Sequence, residues 1–376
     1  MGYPLLLFFY INDKANCVIC QEKWTLYTEN IGAFMNVIRP LGNDVTREAS
    51  GMCTSIAWKN GDFYFGRNLD LEVDFGQQVV MMPRNHPIRF RMEKEMMHHY
   101  AMMGMATVLE GCPLYADAVN EKGLCVAGLN YPGNAWYARE GTASSKRIAP
   151  FELPWWLLGQ CATAQEAREL LADTLVMHLP FGDAVPVSPL HWHVADRRES
   201  LVIECMADGM HILDNPAGVL TNSPPFDFHM HNLCQYMNLT ALQAENRFTD
   251  EMELRPFGRG LGSFGLPGDA SPSSRFVRAA FLTHNSVCEE SEDASVAHFF
   301  HLLDAVAMTR GSVMAPNGDW EHTLYSCCVN ADQGVYYYKT YGNSRLTAVH
   351  LRGTNLDGEA LTEYPLEREP QIHHAN

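Results

Sequence analysis

The chain has 376 residues, 47 % hydrophobic and 19 % charged, enough for one large globular domain or two ordinary ones with a substantial core. A formal net charge of −17 argues against a nucleic-acid partner, whose phosphates this surface would repel, and no apolar run approaches the roughly 18 residues of a membrane span. Eleven cysteines are an odd number and too sparse for a disulfide scaffold, which predicts a reducing, cytoplasmic setting.

Residues 12–51 show no sustained helical or strand period. Residues 4–11 are apolar, but no positive segment precedes them and no small-x-small site follows closely, so they make a poor signal peptide. Cys17 and Cys20 have redox or metal spacing without a second pair. From Met52 the pattern changes. Residues 54–59 and 62–67 flank Asn60-Gly61, a hairpin turn in which both positions favour positive φ. The hairpin carries Met52-Cys53-Thr54-Ser55 at one end and Phe65-Gly66-Arg67-Asn68-Leu69-Asp70 at the other. Its turn therefore predicts a cation and a carboxylate beside Cys53. A cysteine exposed as the N-terminal residue holds nucleophile and base in one residue, because its α-amine can take the thiol proton. Taken alone, Cys53 reads more readily as a core residue, and the Arg67/Asp70 pair reads equally as a surface ion pair at a strand end.

The methionines Met96, Met97, Met102, Met103 and Met105 read as core filling in preference to an adaptable lid. A second hairpin is predicted over residues 115–119 and 124–129, turned by Asn120-Glu121-Lys122-Gly123. Helical patterns follow at 151–158 and 164–172, with Thr163 as cap. Strands are predicted at 191–195, 201–206 and 210–214, helices at 273–282 and 294–308, and closing strands at 324–330, 334–340 and 345–351. Cys327 and Cys328 then fall on alternating faces of a strand. His191/His193 and His229/His231 are HxH pairs, and His98/His99 and His373/His374 are adjacent pairs; with no HExxH and no carboxylate at ligand spacing, they read as half-exposed or backbone-bonded, and no metal or cofactor is expected. Meanders alternating with helix pairs predict a layered α+β domain from Cys53 to the end.

Met-Cys-Thr at Met52 followed by Phe-Gly-Arg-Asn-Leu-Asp at Phe65 resembles the start of choloylglycine hydrolases, the family of bile salt hydrolases and penicillin V acylases. The likeness continues in order through Asn120-Glu121-Lys122-Gly123-Leu124, Ala127-Gly128-Leu129-Asn130-Tyr131-Pro132, Leu220-Thr221-Asn222-Ser223-Pro224, Gly265-Leu266-Pro267-Gly268-Asp269, Ser274-Arg275-Phe276-Val277-Arg278, Thr323-Leu324-Tyr325-Ser326 and Tyr336-Tyr337-Tyr338. It covers essentially residues 53–360.

The resemblance implies a four-layer αββα N-terminal-nucleophile hydrolase sandwich, two antiparallel sheets covered by helices. It implies Cys53 as nucleophile and its freed amine as general base. Arg67 and Arg275 would supply a positive field, Asp70 a hydrogen bond to the amine or thiol, and Asn222 and Asn130 donors to the oxyanion. The implied substrate is a glycine- or taurine-conjugated bile salt, because bile salt hydrolases tend to carry asparagine where penicillin V acylases carry tyrosine at the position of Asn130. Leu69 and Phe75 are the expected apolar walls of its pocket, and the implied assembly is a homotetramer.

A free amine at Cys53 requires residues 1–52 to be absent from the active enzyme, either because Met52 is the true start or because a leader is removed. The rival functions are a penicillin V or N-acyl homoserine lactone acylase, an acyltransferase, and a non-catalytic binding module. A Cys/His protease is disfavoured because no histidine falls in these motifs.

Overall fold

The computed structural model describes residues 51–141, 146–183 and 185–376. Cys17 and Cys20, with nearly all of the segment before Met52, lie outside the described residues.

The chain begins with the hairpin β1 (Met52–Asn60) and β2 (Asp62–Leu71). It then crosses to a second sheet through β3 (Gln78–Met82), β4 (Met102–Leu109), β5 (Cys112–Asn120) and β6 (Cys125–Asn130). Strand β7 (Lys146–Ile148), helices α1 (Leu153–Gln160) and α2 (Ala164–Leu171) and strand β8 (Thr174–Val176) follow. Strands β9 (Leu190–Ala195), β10 (Ser200–Met206) and β11 (Gly209–Asp214) return to the second sheet, and β12 (Val219–Leu220) to the first. Helices α3 (Phe226–Leu233), α4 (Pro272–His284) and α5 (Glu292–Asp304) precede β13 (Val313–Met314), β14 (Trp320–Asn330), β15 (Val335–Thr340) and β16 (Thr347–His350) of the first sheet. Strand β17 (Thr362–Tyr364) closes the second.

The first sheet runs β12-β1-β2-β14-β15-β16, with β13 on β14, and the second β11-β10-β9-β6-β5-β4-β3-β17; the pairings within both are antiparallel. Leu153, Trp155 and Leu158 of α1 cover the outer face of the second sheet, packing with Val80, Ala118 and Val126. Phe276 of α4 and Phe299 of α5 cover the outer face of the first. The apolar faces left between the sheets meet each other. The result is the four-layer αββα sandwich expected of the sequence.

Most predicted elements recur within a few residues, and Thr163 caps α2 by accepting from the Glu166 N–H at 3.2 Å. Two differences have clear causes. Asn60 pairs with Asp62 across the turn, so Gly61 alone takes positive φ, at 65°. Asn60 is held there by its amide, which donates to Glu289 O and Ser295 Oγ. Helix α5 stops at Asp304, short of 308, because Met308 N–H turns to the hydroxyl of Thr323.

Met102, Met103 and Met105 lie on β4 and are fully buried, as core filling requires, whereas Met97 is exposed. Strands β3 and β4 and helix α3 had no counterpart among the predicted elements.

Candidate active site

Cys53 is the second residue of β1, and strand alternation sends its side chain into the layer between the sheets. Ser55 shares that face, and its hydroxyl meets His193 Nδ1 on β9 at 2.7 Å. Across the hairpin Cys53 pairs with Leu69 and Ser55 with Arg67, so Arg67 also points between the sheets. Its Nη1 donates to Ala116 O at 2.9 Å and Gly128 O at 2.6 Å. Its Nη2 is buried without a hydrogen-bond partner.

The opposite face of β1 belongs to the helix layer, and Arg275 reaches it from the first turns of α4. Its Nη1 donates to the Cys53 carbonyl and, at 2.7 Å, to Thr54 Oγ1; its Nη2 donates to Asn222 Oδ1 at 2.7 Å. Two buried guanidiniums thus approach Cys53 from the two sides of one sheet.

Asn222 arrives through strand register. Strands β12 and β1 pair Ser55 with Leu220 and Ile56 with Val219, and two residues further along Asn222 stands opposite Cys53. Its Oδ1 accepts the Cys53 N–H at 2.9 Å, and its Nδ2 donates to Asn130 O at 2.8 Å. Asn130 ends β6 in the other sheet. Its backbone N–H is bonded to the Cys53 thiol, and its Nδ2 donates to Gly51 O at 3.0 Å.

Asp70 pairs with Met52, directly before Cys53. Its Oδ1 accepts from Thr323 Oγ1 at 2.5 Å, while Oδ2 is buried with no hydrogen bond. A register shift in β14 between Thr323 and Tyr325 makes this arrangement possible. The extra residue reverses the alternation, so Thr323 meets Asp70 while Tyr325 turns between the sheets to Asp117.

The charges are coupled. Burial pushes the Cys53 thiol up; Arg67 opposes this, Asp70 adds to it, and the Asn130 N–H and Arg275 draw it down again. Burial works to lower the Arg67 guanidinium, but Cys53, Tyr325 and Asp117 more than offset it and hold it up. Asp70 is raised by burial to about 6, against the pull of Arg275, Thr323 and Arg67. The cluster therefore joins a thiol, two cations, a carboxyl titrating near neutrality and amide donors from both sheets.

Of the predicted site residues, Cys53, Arg67, Leu69, Asp70, Asn130, Asn222 and Arg275 converge. Phe75 does not: it lies on the loop after β2, 49 % exposed, its N–H donating to Gln77 Oε1. Thr323 and Asp117 had no role in the sequence reading. The available signal was a carboxylate inside an alternating apolar strand, which packing makes costly unless it is bonded; Tyr325 and Tyr336 both donate to Asp117 at 2.6 Å.

The histidine pair His191/His193 is not half-exposed. Both rings are fully buried and bonded, His191 to Glu204 Oε1 and Thr221 O, His193 to Ser55 and Ser200 hydroxyls. Burial, with His191 adding to it, holds His193 down to about 3, so that ring is neutral. His99 is likewise bonded to the carbonyls of His86 and Tyr100. His229 is buried against Asn222 O, whereas His231 is exposed and bonds Asp227 O.

A family model described as linear amide C–N hydrolases, choloylglycine hydrolase family, matches residues 53–364. A bile salt hydrolase/transferase of Lactiplantibacillus plantarum is 44 % identical over 325 residues, covering 86 % of this chain and all of that one. One of Clostridium perfringens is 36 % identical over 329 residues, with 86 % and 100 % covered. A crystal structure of a mutant conjugated bile acid hydrolase from Clostridium perfringens superposes with a TM-score of 0.80 at 36 % identity, covering 86 % of this chain and all of that one. Penicillin V acylase from Agrobacterium tumefaciens shares the fold, with a TM-score of 0.66 at 19 % identity over 84 % of this chain and 92 % of its own.

Proposed function

The chain belongs to the choloylglycine hydrolase family of linear amide C–N hydrolases, and from that premise we propose that it hydrolyses the amide bond of glycine- or taurine-conjugated bile salts with Cys53 as the nucleophile. The observation that carries the reading is the convergence on Cys53 of Arg67, Arg275, Asn222, Asn130 and Asp70 from both sheets and α4. The bile-salt assignment rests on the similar proteins named for that activity.

In the active form the nitrogen of Cys53 is a free amine, released by loss of everything before it. Held by Asn222 Oδ1, the amine takes the thiol proton, and the thiolate attacks the amide carbonyl carbon. Negative charge passes to the carbonyl oxygen, to which the side-chain amides of Asn222 and Asn130 donate. One such donor contributes about 3–4 kcal/mol to the transition state. The ammonium returns the proton to the leaving nitrogen of glycine or taurine, the C–N bond breaks, and a thioester remains. Water then attacks the thioester, giving up a proton to the amine, and the bile acid leaves as the thiol reforms. The free Oδ2 of Asp70 suits the ammonium, and the free Nη2 of Arg67 suits the thiolate or the substrate's acyl-amide region.

An amine taking the place of water would make the same thioester an acyl donor, a second reading favoured by the hydrolase/transferase names of two similar proteins. We place the enzyme in the cytoplasm: the described cysteines are all free, and no described helix is long and apolar enough to cross a membrane. We also propose a homotetramer, on the strength of an exposed apolar segment between α3 and α4 that includes Phe248, Phe257 and Phe264.

The test is release of glycine and taurine from mixed conjugates by protein expressed from Met52, beside Cys53→Ser. Release that disappears in the variant is expected. A folded protein with Cys53 at its N-terminus that releases neither would overturn the substrate assignment.

A further inference from the structure

Asn222 is held by more than its side chain. Its backbone carbonyl accepts from His229 Nε2 at 2.9 Å, and the preceding carbonyl, of Thr221, accepts from His191 Nε2 at 3.0 Å. Carbonyls only accept, so both Nε2 atoms carry hydrogen. The rings come from unrelated elements, His191 from β9 and His229 from α3. Both are fully buried, at 0 % exposure.

Each ring also leans on a neighbour of another site residue. His191 stacks on Tyr131 at 4.3 Å and 7°, and Tyr131 directly follows Asn130. His229 stacks on Phe276 at 4.8 Å and 16°, and Phe276 directly follows Arg275. Glu204 joins the two histidines: its Oε1 meets His191 Nδ1 at 3.1 Å and accepts the N–H of Phe226, the first residue of α3, at 3.0 Å.

We propose that His229 and His191, braced by Glu204, are positioning residues for Asn222, setting its amide between the Cys53 nitrogen and the oxyanion. Neither ring touches the thiol. They act by fixing two consecutive carbonyls, which leaves the Asn222 side chain one direction to point. Tilting that peptide would misplace Oδ1 from the base and Nδ2 from the developing charge together, the kind of small displacement that costs rate more than binding.

The proposal rests on the amide-hydrolase reading of Cys53, so the experiment carries a readout that needs no bile salt. Enzyme expressed from Met52, with Cys53 confirmed N-terminal, is compared with His229→Phe, His229→Gln and Glu204→Gln. Three quantities are measured: kcat per titrated Cys53, KM, and the rate of Cys53 alkylation by iodoacetamide. His229→Phe is expected to lower kcat at least tenfold per titrated site with KM within about twofold, and to slow alkylation several-fold. His229→Gln, whose amide can still donate to Asn222 O, is expected to recover most of both. Glu204→Gln preserves shape and is expected to lower kcat several-fold without a change in Tm; it carries the test if His229→Phe does not fold. A merely structural role predicts fewer titratable sites, each with normal kcat and normal alkylation, and that result overturns the proposal. Failure of the glutamine variant to recover activity overturns it too. A parent enzyme that alkylates normally but releases no glycine or taurine counts against the bile-salt reading alone, and the alkylation rates still decide this one.

Discussion

Asp70 has only one of its two oxygens bonded, and burial raises it to about 6 while the Cys53 nitrogen is a neutral amide. The unfolded value is near 3.9, so the native state binds the extra proton between roughly pH 4 and 6. In that window stability falls as pH rises, the reverse of an ordinary ion-paired carboxylate. Asp70→Asn, in a chain whose Met52–Cys53 bond is intact, is therefore expected to gain about 1–3 kcal/mol at pH 7 and almost nothing at pH 4. Urea unfolding at the two pH values checks this, and equal changes at both would count against it. Once the bond is cut, an ammonium beside Oδ2 should pull Asp70 back down and flatten the difference. The identities of Cys53, Arg67 and Asp70 were legible in sequence because one hairpin carries all three. Thr323 was not, since its meeting with Asp70 depends on a bulge that no local pattern announces.

The element that delivers Arg275 is α4. Ser271 caps it by accepting from the Ser274 N–H, while Asp269 accepts from the Ser271 N–H at 2.9 Å and the Ser274 hydroxyl at 2.6 Å. Those bonds hold Asp269 down to about 2. Its stabilisation is therefore complete above about pH 4 and is lost as pH falls through about 2. Asp269→Ala is expected to cost less than the roughly 1 kcal/mol of a lost helix cap at pH 7, because it removes two bonds to the capping turn and leaves the Ser271 cap in place. It should also lower kcat, because the start of α4 sets the reach of Arg275. Thermal unfolding and turnover measured side by side test this; a Tm loss with unchanged turnover would separate the cap from the site. The arginine was visible in a sequence motif, whereas the Ser271 cap was not read from the sequence. Helix α3, eight residues long, was not visible, because only Phe226 and His229 of its residues are buried, too few to mark an amphipathic stripe.

At the scale of the molecule, the apolar segment between α3 and α4 stands out. Met237, Phe248, Phe257 and Phe264 are each at least 80 % exposed. The segment closes on itself through Thr240 N–H to Gly262 O at 2.9 Å, and a side chain at Gly262 would collide with Leu242 O. A braced apolar arm of this kind fits a partner subunit, so Phe248→Ser with Phe257→Ser is expected to reduce a tetramer to smaller species by light scattering. An unchanged mass would remove the arm from the assembly.

The sequence by itself determined the hairpins, the Thr163 cap and the order of the motifs, because turn geometry and capping chemistry act over a few residues. It also determined the family, through motifs spread across the whole length. Only the tertiary structure decided what those motifs do to one another. Arg67 and Arg275 lie on opposite faces of one sheet, Asn222 reaches Cys53 through the register of a two-residue strand, and Asn130 comes from the other sheet. The exposure of His191 and His193 was misread for the same reason: whether a ring on a strand is wet or buried depends on what covers the sheet. Here the first sheet covers His191 and His193, with Ser55 of β1 and Phe65 of β2 against the His193 ring, and carbonyls and hydroxyls replace water as partners.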